Sequence, residues 1–364
     1  MKTRSSHPTA HQVVAKTPTI YTLSAQDAQR ANQVLNAWYA RVKRPLPWRK
    51  TRDPYAIWVS EIMCQQTRVD TVIPYYERWM ARFPTPHALA NAPLEDVLLL
   101  WQGLGYYRRA RNLHKGAAYV VEHLDGQLPT TAQELQKLPG IGPYTASAIA
   151  SIAFEEATPA IDGNLQRVLS RLAEEPGEIH RAATFKRLRA LGVQLVDFPH
   201  PGDTNQALME LGATVCTPTA PQCDICPLQP WCKAAKNGTP TRYPNKRKAA
   251  KQRKEHRHAY LAIRPQDHAI FVAQRRDAAL LGGLWETPLF TEAPTAPQWN
   301  AYGEIRHLFT HIDLRVSIWV AQDAVRLPTL RKTYQASMWA SPSQQQQLPQ
   351  STLMRKILAH VQRA

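Results

Sequence analysis

Two carboxylates in this chain sit in surroundings that should drive their protonation apart. Glu61 lies in Tyr55-Ala-Ile-Trp-Val-Ser-Glu-Ile-Met-Cys64, a segment that is apolar on nearly every side. Tyr55, Trp58, Val59 and Ile62 recur at helical spacing, while Ile57, Glu61 and Cys64 share a second, largely apolar face. A helix that is apolar all round is buried. Glu61 then either snorkels to solvent or is a functional acid whose proton is held by desolvation. The polar run Gln65-Gln-Thr67 directly after it suggests a functional rim and favours the second reading. Asp162 lies in Ala160-Ile-Asp-Gly-Asn164, just before a helical pattern of Leu165, Val168, Leu169 and Leu172. It is a good N-cap, and backbone N–H groups bonded to it should keep it ionised. One protonated and one ionised carboxyl suits the departure of a base from a sugar. The acid protonates the leaving group, and the carboxylate stabilises an oxocarbenium-like sugar.

A second constellation is sulfur. Cys216, Cys223, Cys226 and Cys232 form C-x6-C-x2-C-x5-C, four of the chain's five cysteines within 17 residues. So sparse and clustered a set is not a disulfide scaffold. It reads as a structural metal or cluster site in a reducing compartment. Four thiolates suit zinc or an iron–sulfur cluster. Zinc is the default on composition, but typical zinc ribbons pair two CxxC knuckles and this loop has one. Pro218, Pro221, Pro227 and Pro230 stiffen the loop, and Lys233 and Lys236 just beyond it could meet phosphate.

A third is the turn Leu138-Pro-Gly-Ile-Gly-Pro-Tyr-Thr145 between two helical segments. Gly140 and Gly142 permit a tight turn and the close approach of a polyanion. N–H groups at the start of the next helix face outward as phosphate donors. Such a turn alone is usually just a turn. With the charge and the cysteines it reads as a helix-hairpin-helix that grips DNA without reading sequence.

These groups must be held by a mostly helical region. From Ala25 to Lys236 the pattern predicts helices at Ala28–Val42, Pro54–Cys64, Leu94–Trp101, Arg108–His123, Thr131–Leu138, Pro143–Ile152 and Leu165–Leu172. Residues 1–24 read as a disordered tail, and 25–236 as the helical domain. Residues 237–257 read as a basic linker, where eight basic residues from Arg242 to Arg257 meet one acid, Glu255. Such a run either lies along phosphates or is merely solvated. Tyr260–Ile263 and Ile270–Ala273 flank a turn at Pro265–Asp267, Leu314–Val320 alternates, and Leu353–Val361 is helical. Residues 258–364 therefore read as an α+β domain.

Composition agrees with two domains, since 364 residues exceed twice about 150. Lys plus Arg is 45 against 28 for Asp plus Glu, a net charge of +17 that points to nucleic acid. No basic amphipathic helix with a lipid-facing stripe suggests a membrane surface. No window of about 18 apolar residues is present. Met1–Thr22 lacks the apolar core of a secretory signal. It is acid-free and carries Lys2, Arg4 and Lys16, which leaves an organelle transit peptide open beside a plain tail. The expectation is a cytoplasmic, nucleoid-associated monomer.

Together these residues make the chain resemble the adenine DNA glycosylases of the MutY type, in the endonuclease III superfamily. The resemblance covers LPWR (46–49), SEIMCQQT (60–67), WQGLGYY (101–107), LPGIGPYTASAI (138–149), IDGNLQRVL (161–169), NQALMELGA (205–213) and the four-cysteine loop. It implies a mostly α helix-hairpin-helix glycosylase domain, with two helical subdomains flanking a DNA groove. It also implies one [4Fe–4S] cluster on Cys216, Cys223, Cys226 and Cys232. By motif, Glu61 resembles the acid that protonates adenine at N7. Asp162 resembles the carboxylate that stabilises, or transiently bonds to, the sugar C1′, with Asn164 beside it and Tyr144 bridging these groups. Arg44, Leu46 and Trp48 resemble the lining of the pocket for the extruded adenine, and Gln206 another base contact. Gln66 and Tyr106 resemble the residues that wedge into the duplex. Gly140, Gly142 and Thr145 resemble the hairpin's DNA contacts. Base flipping costs a few kcal/mol, least at a mispair.

The C-terminal part resembles the family's MutT-like (Nudix-fold) domain, with Leu280–Pro288 as an early strand region. The metal-binding helix with its paired glutamates is absent after Gly283, so nucleotide hydrolysis is excluded. Phe309-Thr310-His311 resembles the F-S-H loop that recognises 8-oxoguanine, with Thr in place of Ser. Cys64 stands where the family usually has Leu, and reads as a small buried hydrophobe. The implied function is monofunctional removal of adenine from mispairs with 8-oxoguanine or guanine in duplex DNA. An endonuclease III-like glycosylase and lyase is the rival. It needs a lysine at the place of Tyr144, because a Schiff base requires an amine. A non-catalytic DNA-binding module would be marked by loss of Glu61 or Asp162, and a zinc adaptor by the absence of colour.

Overall fold

Capping side chains set where the helices begin. Ser24 accepts from the Asp27 N–H at the start of α1 (Ala25–Val42), and Asp53 accepts from Tyr55 and Ala56 at the start of α2 (Pro54–Cys64). There follow α3 (Val69–Arg82), α4 (Pro86–Ala90), α5 (Leu94–Leu100), α6 (Arg108–His123), α7 (Ala132–Leu135) and α8 (Pro143–Phe154). Then come α9 (Gly163–Ala173), α10 (Ala182–Val196), α11 (Pro201–Thr214) and the short α12 (Lys233–Lys236). The computed structural model describes residues 21–247, 251–277, 279–322, 330 and 332–362.

The helices bury two cores, not one. Helices α2 to α8 close around Trp58, Trp79, Trp101, Leu113 and Ile149. Helix α1 and helices α9 to α11 close around Leu35, Leu169, Leu191 and Leu208. Helices α3, α4, α10 and α11 have no counterpart in the pattern read from the sequence. Pro74 sits inside α3, and α11 opens on His200-Pro-Gly202, punctuation that disguises a helix.

Two boundaries differ from the sequence reading. Residues 1–20 of the expected tail lie outside the described residues, but its last residues are docked. The Tyr21 hydroxyl donates to the Trp231 carbonyl at 2.9 Å, and the Leu23 N–H donates to Gln194 at 2.8 Å. The basic run is also only partly a linker, because strand β1 begins at Arg253. A continuous parallel ladder, Arg253↔Ile312 to Ile263↔Gln322, outweighs the charge of its side chains, and Arg253 and Arg257 pair with Glu255.

The C-terminal domain is one mixed sheet of β1 (Arg253–Arg264), β2 (Ala269–Arg275), β3 (Trp285–Glu286), β4 (Leu289–Phe290), β5 (Asn300–Leu308), β6 (Ile312–Gln322) and β7 (Tyr334–Ala340). Its path runs β3-β2-β1-β6-β5, with β4 on β1 and β7 on β2. The expected hairpin is β1–β2, paired at Ile263↔Ile270. Helices α13 (Pro342–Gln347) and α14 (Thr352–Val361) complete the domain, and α14 packs Leu353, Met354 and Ile357 onto the sheet. After Gly283 the chain runs into β3 and β4 rather than a metal-binding helix. Among the described residues no helix is long and apolar enough to cross a membrane.

The two domains touch through α5, α6 and the loop between them. The Tyr107 hydroxyl donates to the Gln350 carbonyl at 2.9 Å, and Gln102 accepts from the Gln350 N–H at 2.7 Å. Arg111 donates to the Gly282 carbonyl, and Leu284 inserts into the first helical core.

Candidate active site

Glu61 and Asp162, from the two helical parts, lie within each other's field. Glu61 comes from the first core. Every residue of α2 from Tyr55 to Met63 is buried, and Glu61 is 9% exposed. It does not snorkel. Burial pushes its carboxyl up to about 7; the Tyr144 hydroxyl pulls the other way, Asp162 adds to the rise and Arg49 opposes it. The Tyr144 hydroxyl donates to Glu61 Oε2. Burial and the nearby carboxylates push the Tyr144 phenol far above its ordinary value, so it keeps its proton.

Asp162 comes from the second core, as the N-cap of α9. Its Oδ1 accepts from the Leu165 N–H at 2.7 Å, and its Oδ2 accepts from Asn164 Nδ2 at 2.9 Å. Asn164 is in turn held by Arg167 Nη2 at 2.9 Å. The capping geometry matches the sequence reading, but the electrostatics differ. Burial raises the Asp162 carboxyl above its usual range and outweighs the hydrogen bonds that lower it.

Among the residues expected to line the base pocket, Arg44 is held by ion pairs that the sequence conceals. Arg44 does not stand free. Its guanidinium forks onto Glu210, Nε to Oε1 at 2.7 Å and Nη2 to Oε2 at 2.8 Å, and Arg49 adds a third bond at 2.8 Å. Burial alone would raise Glu210; the bonds from Arg44 and Arg49 overcome it and hold its carboxyl at about 2. Leu46 is buried, and Trp48 stands edge-on to Tyr76 at 5.3 Å. Gln206 accepts from the Tyr39 hydroxyl at 3.3 Å. Sequence reasoning missed Glu210 and Arg49. The available signal was a lone acid among Ala207, Leu208 and Leu211 on a buried helix.

The hairpin needs only one of its glycines for its own geometry. Gly140 has φ +81°, and a Cβ there would lie 2.5 Å from Asn112 Cβ. Gly142 has ordinary backbone and open space at its Cβ position, so nothing within the protein requires a glycine there. Gly142 caps α8 without a side-chain hydrogen bond, which leaves N–H groups of the first turn free. The Thr145 side chain is buried and accepts from Gln65 Nε2 at 3.2 Å, so only its backbone N–H is placed to meet a ligand.

Gln66 and Tyr106 are exposed, and both have left-handed backbone, φ +56° and +48°. Such backbone is uncommon in non-glycine residues, though it also closes α8 and α9 at Glu155 and Glu174. Arg109 stands between their loops and was not foreseen. Its guanidinium bonds carbonyls of both loops and lies 5.3 Å from the Tyr106 ring. The Tyr106 hydroxyl shares a 2.8 Å hydrogen bond with Thr310 Oγ1. Phe309, Thr310 and His311 form the β5–β6 turn, closed by the Phe309 N–H on the Ile312 carbonyl at 2.8 Å. The two expected recognition elements, 204 residues apart in sequence, are thus in contact. Cys64 sits close to Glu61, and burial pushes its thiol up to about 12, which agrees with a packing role.

Cys216, Cys223, Cys226 and Cys232 are all free thiols on one loop, and Cys216, Cys226 and Cys232 pack against the second core. Arg171 donates to Cys216 Sγ at 3.3 Å and to the Thr217 and Pro218 carbonyls. Backbone N–H groups of Leu228 and Ala235 point at Cys226 and Cys232. The donor set suits a soft metal or cluster. Among the described residues, no three such side chains converge to ligating distance as they stand.

Residues 59–192 match the family of HhH-GPD superfamily base excision DNA repair proteins, and residues 259–360 match the NUDIX domain. The chain is similar to the adenine DNA glycosylase of Rattus norvegicus, 38% identical over 393 residues, covering 89% of this chain and 76% of the relative. It is similar to that of Mus musculus, 39% identical over 355 residues, covering 78% of this chain and 69% of the relative. Among solved structures it is similar to a thermostable thymine-DNA glycosylase, with a TM-score of 0.53, 26% identity and coverage of 58% of this chain and 97% of that one.

Proposed function

We propose that this chain, which belongs to the adenine DNA glycosylase family, removes adenine from DNA mispairs with 8-oxoguanine or guanine by hydrolysing the N-glycosidic bond. One observation carries the reading. Glu61 is a buried acid with no bonded cation among the described residues, near the pKa at which it can hold and give a proton, and within the field of Asp162. Glu61 protonates the leaving base. The Asp162 carboxyl, oriented by the Leu165 N–H and Asn164, faces the sugar as positive charge develops at C1′. Tyr144 keeps its proton and holds Glu61 in place. Arg44, Leu46, Trp48 and Gln206 line the base pocket. Gln66 and Tyr106 enter the duplex, and Gly140 and Gly142 let its backbone approach.

The enzyme is monofunctional in this reading. Tyr144 stands where a lyase would need an amine, and a phenol forms no Schiff base. The Phe309–His311 turn reads the base opposite adenine, and its contact with Tyr106 supports that role.

Cys216, Cys223, Cys226 and Cys232 would hold one [4Fe–4S] cluster. When bound, it cross-links the loop as a structural element. The protein as purified should show broad visible absorption, which zinc with its filled d shell cannot give. The decisive test is single-turnover adenine release from a duplex with adenine opposite 8-oxoguanine. Strand breaks are scored with and without alkali. Release that needs alkali for breakage supports the reading. Breakage without alkali supports a lyase, and tight binding without release supports a binding module.

A further inference from the structure

Arg109 opens the first turns of α6 and points its guanidinium back under two separate loops. One is the 65–67 loop that leaves α2 and carries Gln66. The other is the 101–107 loop that carries Tyr106. Nη1 donates to the carbonyls of Ile62, Met63 and Gln65 at 2.8, 3.0 and 2.5 Å. Nη2 donates to Thr67 Oγ1 at 3.1 Å and to the carbonyls of Leu104 and Gly105, each at 3.3 Å. Cζ lies 5.3 Å from both the Trp101 and Tyr106 ring centroids. Among the described residues, no other side chain bonds to both loops, and no carboxylate pairs with Arg109.

A cation at the C-terminus of α2 is a familiar cap for its last carbonyls. Capping accounts for Ile62 and Met63. It does not account for Leu104, Gly105 and the nearby Tyr106 ring, which belong to another element. The planar fork of an arginine reaches both sides at once, as a point-charge lysine cannot. Both exposed residues beside it, Gln66 and Tyr106, have the rare left-handed backbone. Gln66 directly follows the C-cap of α2, where such backbone is common, whereas Tyr106 lies within a loop. Arg109 is the side chain that bonds both loops.

We infer that Arg109 is the positioning residue that sets Gln66 and Tyr106 at a fixed separation for entry into the duplex, so that it serves base extrusion rather than bond cleavage. The inference rests on the reading of this chain as an adenine glycosylase and of these two residues as its wedges. Arg109 has no bond to Glu61, Tyr144 or Asp162, so the chemical step does not need it directly.

The test separates extrusion from chemistry. Adenine release is followed in single turnover from two duplexes. In one, adenine faces 8-oxoguanine. In the other it faces an abasic site, where no pair must be broken. Arg109→Lys and Arg109→Gln should lose about 100-fold on the paired duplex, the scale of a misplaced catalytic geometry. They should lose less than about threefold on the unpaired one, with the same fall in rate above pH 7. 2-Aminopurine at the target position should show reduced extrusion on binding. As a check independent of folding, Gln66→Ala with Tyr106→Ala is combined with Arg109→Lys. In that background the lysine variant should add no further loss on the paired duplex, because its route of action is gone. Equal losses on both duplexes, no loss on either, or full additivity would overturn the inference. A wild type that releases no adenine from the paired duplex would instead overturn the functional reading.

Discussion

Two buried glutamates, one in each domain, each accept from a tyrosine hydroxyl but differ in their charged neighbours. Glu61 in the helical cleft accepts from the Tyr144 hydroxyl, and Glu286 inside the C-terminal sheet accepts from the Tyr334 hydroxyl at 2.8 Å. Burial raises both carboxyls. The difference is a cation. Arg275 Nε lies 2.6 Å from Glu286 Oε1, whereas only the field of Arg49 reaches Glu61. The Arg49 guanidinium is itself spent on Glu210. A buried carboxylate that is ion-paired is a structural tie. One left with only a phenol can hold a proton near neutrality and release it. The sheet domain keeps the tie, and the cleft keeps the acid.

The sharpest way to break this contrast is to remove each acid. Glu61→Gln should slow single-turnover adenine release by about 10²–10⁴-fold, the usual worth of a general acid, with folding intact. Residual release within a factor of a few of wild type would end the claim that Glu61 is the acid. Glu286→Gln leaves Arg275 buried and unpaired. It should cost about 3–5 kcal/mol in denaturant unfolding, while the rate per folded molecule stays that of wild type.

The pH dependence sharpens the contrast further. Folded Glu61 holds its proton up to about 7, whereas the unfolded chain loses it near 4.5. The contribution to stability is complete below the lower value and is lost as pH rises to the upper one, by about 3 kcal/mol. Over the same range the acid form disappears, so adenine release should fall about tenfold for each pH unit well above 7. Glu61→Gln should remove that loss of stability, which parallel urea titrations at pH 5 and 8.5 would reveal.

The smallest expected effect is at the tyrosine. The Tyr144 hydroxyl lowers the Glu61 carboxyl against burial. Tyr144→Phe should move the alkaline limb of the rate profile to higher pH and change the plateau rate by less than about tenfold. A limb that stays in place would mean that Tyr144 does not tune Glu61.

Much of the site was legible locally. Glu61 could be read as buried because both faces of its helix are apolar within a few residues. Asp162 could be read as a cap because Asp-Gly-Asn precedes a clean helical pattern, and its bond to the Leu165 N–H follows. The cysteine spacing and the hairpin glycines are likewise short-range signals. Arg109 was not legible. In Tyr106-Tyr-Arg-Arg-Ala-Arg111 it looks like any surface base, and its value comes from carbonyls up to 47 residues away. Glu210 was hidden for the same reason, since Arg44 is 166 residues from it. Asp162 was read with its capping partners, but not with the burial that raises its carboxyl, which comes from packing beyond the range of the local pattern.

The sequence by itself determined which side chains could carry a proton, hold a positive sugar, bind a soft metal or approach a phosphate. It also determined most helices that present them, because caps, periodicity and thiol spacing act over a few residues. Only the tertiary structure decided which carboxyl is paired with a cation and which is left with a phenol. Only it brought Tyr106 against Thr310 and Arg109 under the loops of Gln66 and Tyr106. Desolvation and ion pairing depend on what packs within a few ångströms, and in this fold those neighbours come from opposite ends of the chain.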